Sequence, residues 1–209
     1  MPARPRLAIF LSGSGRTLLN IHEHIRNGSI DAELALVVAS RECLGAQRAR
    51  DLNLTTLIKP GNIPAHDFDA LMRDHRINHI ILAGYLRLLS FPPAYRGRIL
   101  NIHPALLPSF GGQGMYGRHV HQAVLRAGCK LSGCTVHFCD DRYDTGAILL
   151  QRCCPVLDDD TPDTLAARVF DLEKDAYVDA IRALTEDRVV FDDTDSCARA
   201  RIVPPESAR

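Results

Sequence analysis

Leu7-Ala-Ile-Phe-Leu11 runs directly into Ser12-Gly-Ser-Gly-Arg-Thr17. A short run of apolar residues without polar alternation describes a strand buried on both faces. The glycines that follow permit a tight turn and a close approach of backbone to ligand. A helical stretch from Thr17 to about Arg26 comes next. The pattern continues outward: Leu34-Ala-Leu-Val-Val38 is apolar, and a helix-like segment follows near Ala46 to Leu52. Thr55 to Ile58 reads as a short strand ended by Pro60 and Gly61. Ala65 to His75 places Phe68, Leu71 and Met72 at helical spacing, and Ile77 to Ala83 is apolar again. Apolar runs alternating with helices predict an α/β chain with a mostly parallel central sheet and helices on both faces.

The second half changes character. Ile99-Leu-Asn-Ile-His103 is a strand that meets Pro104, and a glycine-rich loop, Gly111 to Gly117, leads to a helix ending near Ala127. Leu131 to Cys139 and Ala147 to Val156 read as strands joined by the polar connection Asp140 to Gly146. Asp160-Thr-Pro162 starts a helix, with a capping residue and proline just inside, that extends to about Leu184. The expected organisation is one domain over residues 1–192 and a poorly ordered polar tail over 193–209.

Composition narrows the function. Lys plus Arg and Asp plus Glu balance at 25 each, which disfavours a nucleic-acid partner or a polybasic membrane anchor. No apolar run approaches the ~18 residues of a membrane span, and Leu7 to Leu11 is too short for a signal-peptide core. The 7 cysteines form no CxxC pair and read as reduced, small hydrophobes in a cytoplasmic protein.

Three stretches can carry chemistry. Ser12 to Thr17 joins a strand to a helix whose free N–H groups and positive dipole end suit phosphate. Arg16 adds a fork of donors there, although the pattern is neither Walker A nor GxGxxG. The plain alternative is a tight βα turn. Asn101 and His103 lie two apart at a strand end and so share a face, at the sheet edge where α/β folds bind ligands. Alone, Asn-x-His is better read as a turn-capping amide and a satisfied imidazole. Asp140, Asp141 and Asp144 crowd one connection. Most such aspartates are solvated turn residues, but Asp144 can instead sit beside an imidazole and raise its pKa. His22-Glu-His24 and His119-Val-His121 look metal-like, yet neither has a third ligand at an established spacing, so no metal is expected.

Taken together and in this order, the motifs resemble those of the folate-dependent formyltransferases, the phosphoribosylglycinamide formyltransferase family in particular. The resemblance runs from Leu7 to about Asp187. It rests on Ser12-Gly-x-Gly-x-x-Leu18, Ala83-Gly-Tyr-Leu-Arg-Leu-Leu-Ser90, Asn101-Ile-His-Pro-x-Leu-Leu-Pro108 and Val136-His-Phe with Asp144-x-Gly146-x-Ile148. It continues through Ala167-Arg-Val169 and Glu173 to Tyr177.

The resemblance implies a Rossmann-like formyltransferase fold. It implies transfer of the formyl group of 10-formyltetrahydrofolate to the amine of glycinamide ribonucleotide, in purine biosynthesis. Asn101, His103 and Asp144 match the family's catalytic trio, in which Asn101 and a protonated His103 would stabilise an oxyanion. Gly13, Ser14, Gly15, Arg16 and Thr17 match the loop that cradles the phosphate. Leu86, Arg87, Leu88 and Leu89, with Asn101, Asp140, Asp141 and Asp144, match the folate pocket. Glu173 matches a carboxylate that meets the acceptor. Arg16 and Thr17 stand where many members carry Ser and Asn, and the Gly111–Gly117 loop is longer than in short-looped members. A formyltetrahydrofolate hydrolase, or a transferase with another amine acceptor, is the alternative. The length leaves room for neither a further C-terminal domain nor an N-terminal regulatory one, so a bare catalytic domain is expected, as a monomer or homodimer with small-molecule partners.

Overall fold

Arg6–Leu11 forms strand β1, and Leu7 to Leu11 are all completely buried, as an apolar run without alternation requires. The computed structural model describes residues 4–193 and 198–205. Two compact units are distinguishable, residues 1–101 and 102–209, where the sequence suggested a single domain over 1–192.

In the first unit β1 is followed by α1 (Arg16–Arg26), β2 (Glu33–Ala39), α2 (Leu44–Asp51), β3 (Thr56–Ile58), α3 (Ala65–Asp74) and β4 (His79–Leu82). Strand β5 (Ile99–His103) begins here. The strands pair in parallel, in the order β3-β2-β1-β4-β5. Each crossover between paired strands passes through a helix or a long connection, as parallel pairing demands. Phe10 on β1 meets the Tyr85 ring edge-on at 5.4 Å, and Phe68 on α3 meets Tyr95 at 5.1 Å. These aromatic contacts pin the irregular stretch after β4, which carries residues 86–89. Each fully buried ring or aliphatic side chain contributes about 1.5–3 kcal/mol.

The second unit holds α4 (Arg118–Arg126), β6 (Leu131–Phe138), β7 (Ile148–Pro155) and α5 (Pro162–Thr185). β6 and β7 are antiparallel neighbours with a register shift between Val136 and His137. Helix α5 starts where the Asp-Thr-Pro signal predicts. Thr161 is its N-cap, its hydroxyl accepts the Thr164 N–H, and Thr164 returns a contact to the Thr161 N–H. Tyr177 is its largest fully buried side chain.

Among the described residues, seven strands in a mostly parallel, mixed sheet and five helices define an α/β chain, the class the sequence indicates. The end of the chain differs from expectation. Val189–Asp192 (β8) and Arg199–Ile202 (β9) form an antiparallel pair, and Phe191 packs edge-on against Phe138 at 4.9 Å. Part of the stretch assigned to a poorly ordered tail is therefore a strand. Residues 194–197 and 206–209 of that expected tail lie outside the described residues.

Candidate active site

Strand β5 carries Asn101 and His103 on one face because side chains two apart point the same way. Pro104 has no N–H to continue the ladder, so the chain leaves the sheet directly after His103. His103 is 3% exposed. Its Nε2 is 2.8 Å from the Phe110 carbonyl oxygen. A carbonyl can only accept, so Nε2 carries the proton. Nδ1 then faces Asp144, 3.5 Å from Oδ2.

Asp144 sits between two imidazoles. His137 Nε2 lies 3.6 Å from its Oδ1, and the Gly112 N–H donates to Oδ2 at 2.9 Å. His137 is oriented from behind, with Nδ1 3.0 Å from the Phe138 carbonyl oxygen. Asp144 has left-handed backbone geometry, φ 58°, which aspartate tolerates better than most residues. Two residues on, a Cβ at Gly146 would collide with the Phe138 carbonyl oxygen. The Asp-x-Gly spacing thus has a steric cause: the connection must turn sharply to present Asp144 and then close against β6.

Burial alone would raise the Asp144 pKa. The His137 hydrogen bond, the His103 charge and the Gly112 N–H together outweigh it and bring the carboxyl below its ordinary value. His103 goes down as well, first because it is buried. Asp144 and the Phe110 carbonyl oppose that shift without overcoming it. Burial therefore works against an imidazole held protonated by Asp144, although the carboxylate is in place. In this arrangement the His103 Nε2–H is given to the Phe110 carbonyl. His121 on α4 is another buried imidazole with a lowered pKa, for the same first reason, and His103 adds to it.

The loop after Pro104 is fastened by a residue that carried no sequence signal. Thr135 Oγ1 donates to the Ala105 carbonyl at 2.7 Å and accepts from the Leu107 N–H at 3.0 Å and from Gln151 Nε2 at 2.9 Å. One donor and two acceptor positions exhaust a hydroxyl. Gln151 Nε2 also reaches the Leu107 carbonyl at 3.0 Å. Thr135 and His137 share a face of β6, so the strand that orients Asp144 also holds the loop that supplies Phe110 and Gly112.

Asp140 braces the connection from within: its carboxylate accepts from the Arg142 N–H at 2.9 Å and from Thr145 Oγ1 at 2.8 Å. Asp141 is exposed. Glu173, on α5, acts on the Cys134 thiol, which burial first and then this carboxylate push up to about 12. Cys134 and Cys154 are buried and Cys153 exposed. Cys197 lies outside the described residues. Among the described residues no three His, Cys, Asp or Glu side chains gather to hold a metal ion.

In the first unit Gly13, Ser14 and Arg16 are exposed, Gly15 is buried and Thr17 half-buried. The Ser12 hydroxyl is buried. It accepts from Ser40 Oγ at 2.8 Å and from the Leu86 N–H at 3.1 Å. Ser12 therefore ties its own loop to the start of the 86–89 segment. Leu86 and Leu88 are 45% and 41% exposed, Arg87 is exposed and Leu89 buried. The segment thus leaves two large apolar side chains in solvent.

A sequence model of the formyl transferase family matches residues 5–181. The chain belongs to the formyl transferase family. It is similar to phosphoribosylglycinamide formyltransferases within it. The chloroplastic enzyme of that name from Arabidopsis thaliana is 42% identical over 199 residues, which cover 90% of this chain and 68% of the plant protein. The chloroplastic enzyme from Vigna unguiculata is 41% identical over 197 residues, and the match spans 63% of its length. Among solved structures, glycinamide ribonucleotide transformylase 1 from Symbiobacterium toebii aligns with a TM-score of 0.84 and 34% identity, over 98% of this chain and 96% of that one.

Proposed function

We propose that the chain transfers the formyl group of 10-formyltetrahydrofolate to the amine of glycinamide ribonucleotide, a step of purine biosynthesis. The observation that carries this reading is the buried carboxylate between two imidazoles, with an amide on the same strand face as one of them. The formylfolate supplies an electrophilic carbon. Exposed Leu86 and Leu88 offer apolar surface for its ring system, and Arg87 offers a cation for its anionic end. Gly13 to Thr17 take the acceptor's phosphate, and Glu173 its amine end. The cysteines among the described residues are free thiols, which supports work in the reducing cytoplasm.

The amine nitrogen attacks the formyl carbon, and the carbonyl oxygen gains negative charge. Asn101 donates an amide hydrogen bond to that oxygen. The attacking nitrogen must lose a proton, and the His103–Asp144 edge is built to receive one. With His103 neutral, Nδ1 and Asp144 Oδ2 are two acceptors facing each other at 3.5 Å. A proton placed there turns mutual repulsion into a charge-assisted contact and leaves an imidazolium beside the developing anion. The proton then passes to the folate nitrogen as its bond to carbon breaks, so the sum is formyl transfer with no net proton change at the site.

The test is release of tetrahydrofolate with and without glycinamide ribonucleotide. Release that depends on the acceptor, with formation of the formylated product, is expected. Release at the same rate without acceptor would mark a hydrolase and overturn the proposal.

A further inference from the structure

Three consecutive carbonyls of the loop after β1 are held by the segment that follows β2. Arg41 Nε donates to the Ser12 carbonyl at 3.1 Å, the Gly45 N–H to the Gly13 carbonyl at 2.9 Å, and Arg48 Nη1 to the Ser14 carbonyl at 2.8 Å. A trans peptide is planar, with its C=O and N–H directed oppositely. Drawing these carbonyls toward α2 therefore turns the N–H groups of Gly13, Ser14 and Gly15 the other way. Successive N–H groups facing one side form an anion-binding concavity. Helix α1 adds the positive end of its dipole immediately beyond.

The fit between loop and helix is close. A Cβ at Gly15 would lie 2.6 Å from the Gly45 Cα, and one at Gly45 would lie 2.9 Å from the Gly13 carbonyl oxygen. Neighbouring charges are sorted so that the arginines serve different ends. Arg50 is paired with Glu42 at 2.7 Å, while Arg41 and Arg48 are directed at loop carbonyls. A guanidinium on the Ser14 carbonyl also polarises the Ser14–Gly15 peptide, which makes the Gly15 N–H a stronger donor.

We infer that the start of α2 is the mould of the anion site and that Arg48 is a positioning residue for the phosphate of the ribonucleotide acceptor. It works through the loop backbone and does not itself touch the phosphate. This rests on the acceptor reading given above, and the experiment separates the two. KM is measured for glycinamide ribonucleotide and for the corresponding riboside without phosphate, in the wild type and in Arg48→Ala, Arg48→Lys and Arg48→Gln. The wild type is expected to favour the phosphorylated acceptor. Arg48→Ala is expected to raise KM for the ribonucleotide about 10-fold, the scale of one charge-assisted hydrogen bond. KM for the riboside and for formylfolate stays unchanged. Arg48→Lys, which keeps a charged donor, recovers part of the loss and Arg48→Gln less. If Arg48→Ala fails to fold, the ordering of the Lys and Gln variants carries the same test. A wild type indifferent to the phosphate overturns the acceptor reading. A wild type that favours the phosphate by a margin unaltered in every Arg48 variant overturns the role of Arg48, as does an equal rise in both acceptor KM values.

Discussion

Replacing Asp144 with asparagine removes one charge and keeps the shape of the side chain. The backbone accepts the change, because asparagine shares aspartate's tolerance of the left-handed region in which φ is 58°. The carboxamide oxygen can still accept the Gly112 N–H. The carboxylate opposite His103 Nδ1 is lost. Two unit charges about 4 Å apart interact by about 4 kcal/mol at an effective dielectric of about 20. The two side chains are only 3% and 9% exposed, so little of this is screened by solvent. At about 1.36 kcal/mol per tenfold, complete loss of that interaction with a transient imidazolium slows the reaction about 1,000-fold. His137 remains next to the site and relaxation recovers part, so the expected fall in kcat is at least about 100-fold. The pH profile carries a second signature. The wild-type rate falls as pH drops through the His103 pKa, which burial has already lowered. Asp144 is the strongest upward influence on that pKa, so its removal moves the acid limb to lower pH while the plateau drops. Steady-state formation of tetrahydrofolate from about pH 5 to about pH 9 reads both effects. Turnover within about tenfold of wild type in a folded variant would refute the reasoning. So would an acid limb that stays in place or moves upward.

His103→Ala is expected to cut turnover at least about 100-fold with the fold intact, and near-wild-type rates would remove His103 from the chemistry. Thr135→Val leaves the Leu107 N–H without its hydroxyl and should cost about 2–3 kcal/mol, read as a lower urea midpoint together with a lower kcat; an unchanged midpoint would contradict the bracing role. Stability should also fall in acid. His103 and His121 have folded pKa values below their unfolded ones, so their contribution is complete above the unfolded value and is lost as pH falls below it. Asp144 is also lowered, and its contribution disappears further down as pH falls through its folded value. The melting temperature is therefore expected to drop between about pH 7.5 and about pH 5.5, with a shallower drop in His121→Gln. A flat profile would contradict the burial argument.

The parallel half of the fold was legible because its strands are continuous apolar runs and its helices have helical spacing. β1 and β5 fall where those runs do. The β8–β9 pair was not legible, since alternating exposed and half-buried residues in a polar segment look like tail until a partner strand is known. The site divides the same way. Asn101, His103 and Asp144 stand in a distinctive order, so sequence could nominate them. Their charge states were out of reach, because desolvation depends on what packs around His103 from α4 and from the loop carrying Phe110. Thr135, Gln151, Arg41 and Arg48 left no signal at all. Each acts on a backbone carbonyl or N–H distant in sequence, and backbone groups are identical at every position.

That last property explains how a chain with equal numbers of acidic and basic residues builds sites of opposite need. A concavity for an anion requires oriented N–H groups more than it requires a nearby surplus of cations. In the proposed anion site, Arg41 and Arg48 supply orientation by taking the carbonyls, and the exposed glycine and serine of the loop are the donors. At the proposed catalytic cluster the polarity of the device is reversed. A carbonyl, from Phe110, fixes which nitrogen of His103 carries the proton, and an N–H, from Gly112, joins His137 in lowering the Asp144 pKa. In both places the side chains that do chemistry are few and the backbone groups that make them usable are many. Substitutions that leave every proposed catalytic residue intact, at Thr135 or Arg48, are therefore expected to reach kcat and KM through the loops. Asp144→Asn is expected to reach kcat directly. The split between these two patterns is what separates a positioning residue from a catalytic one in this chain.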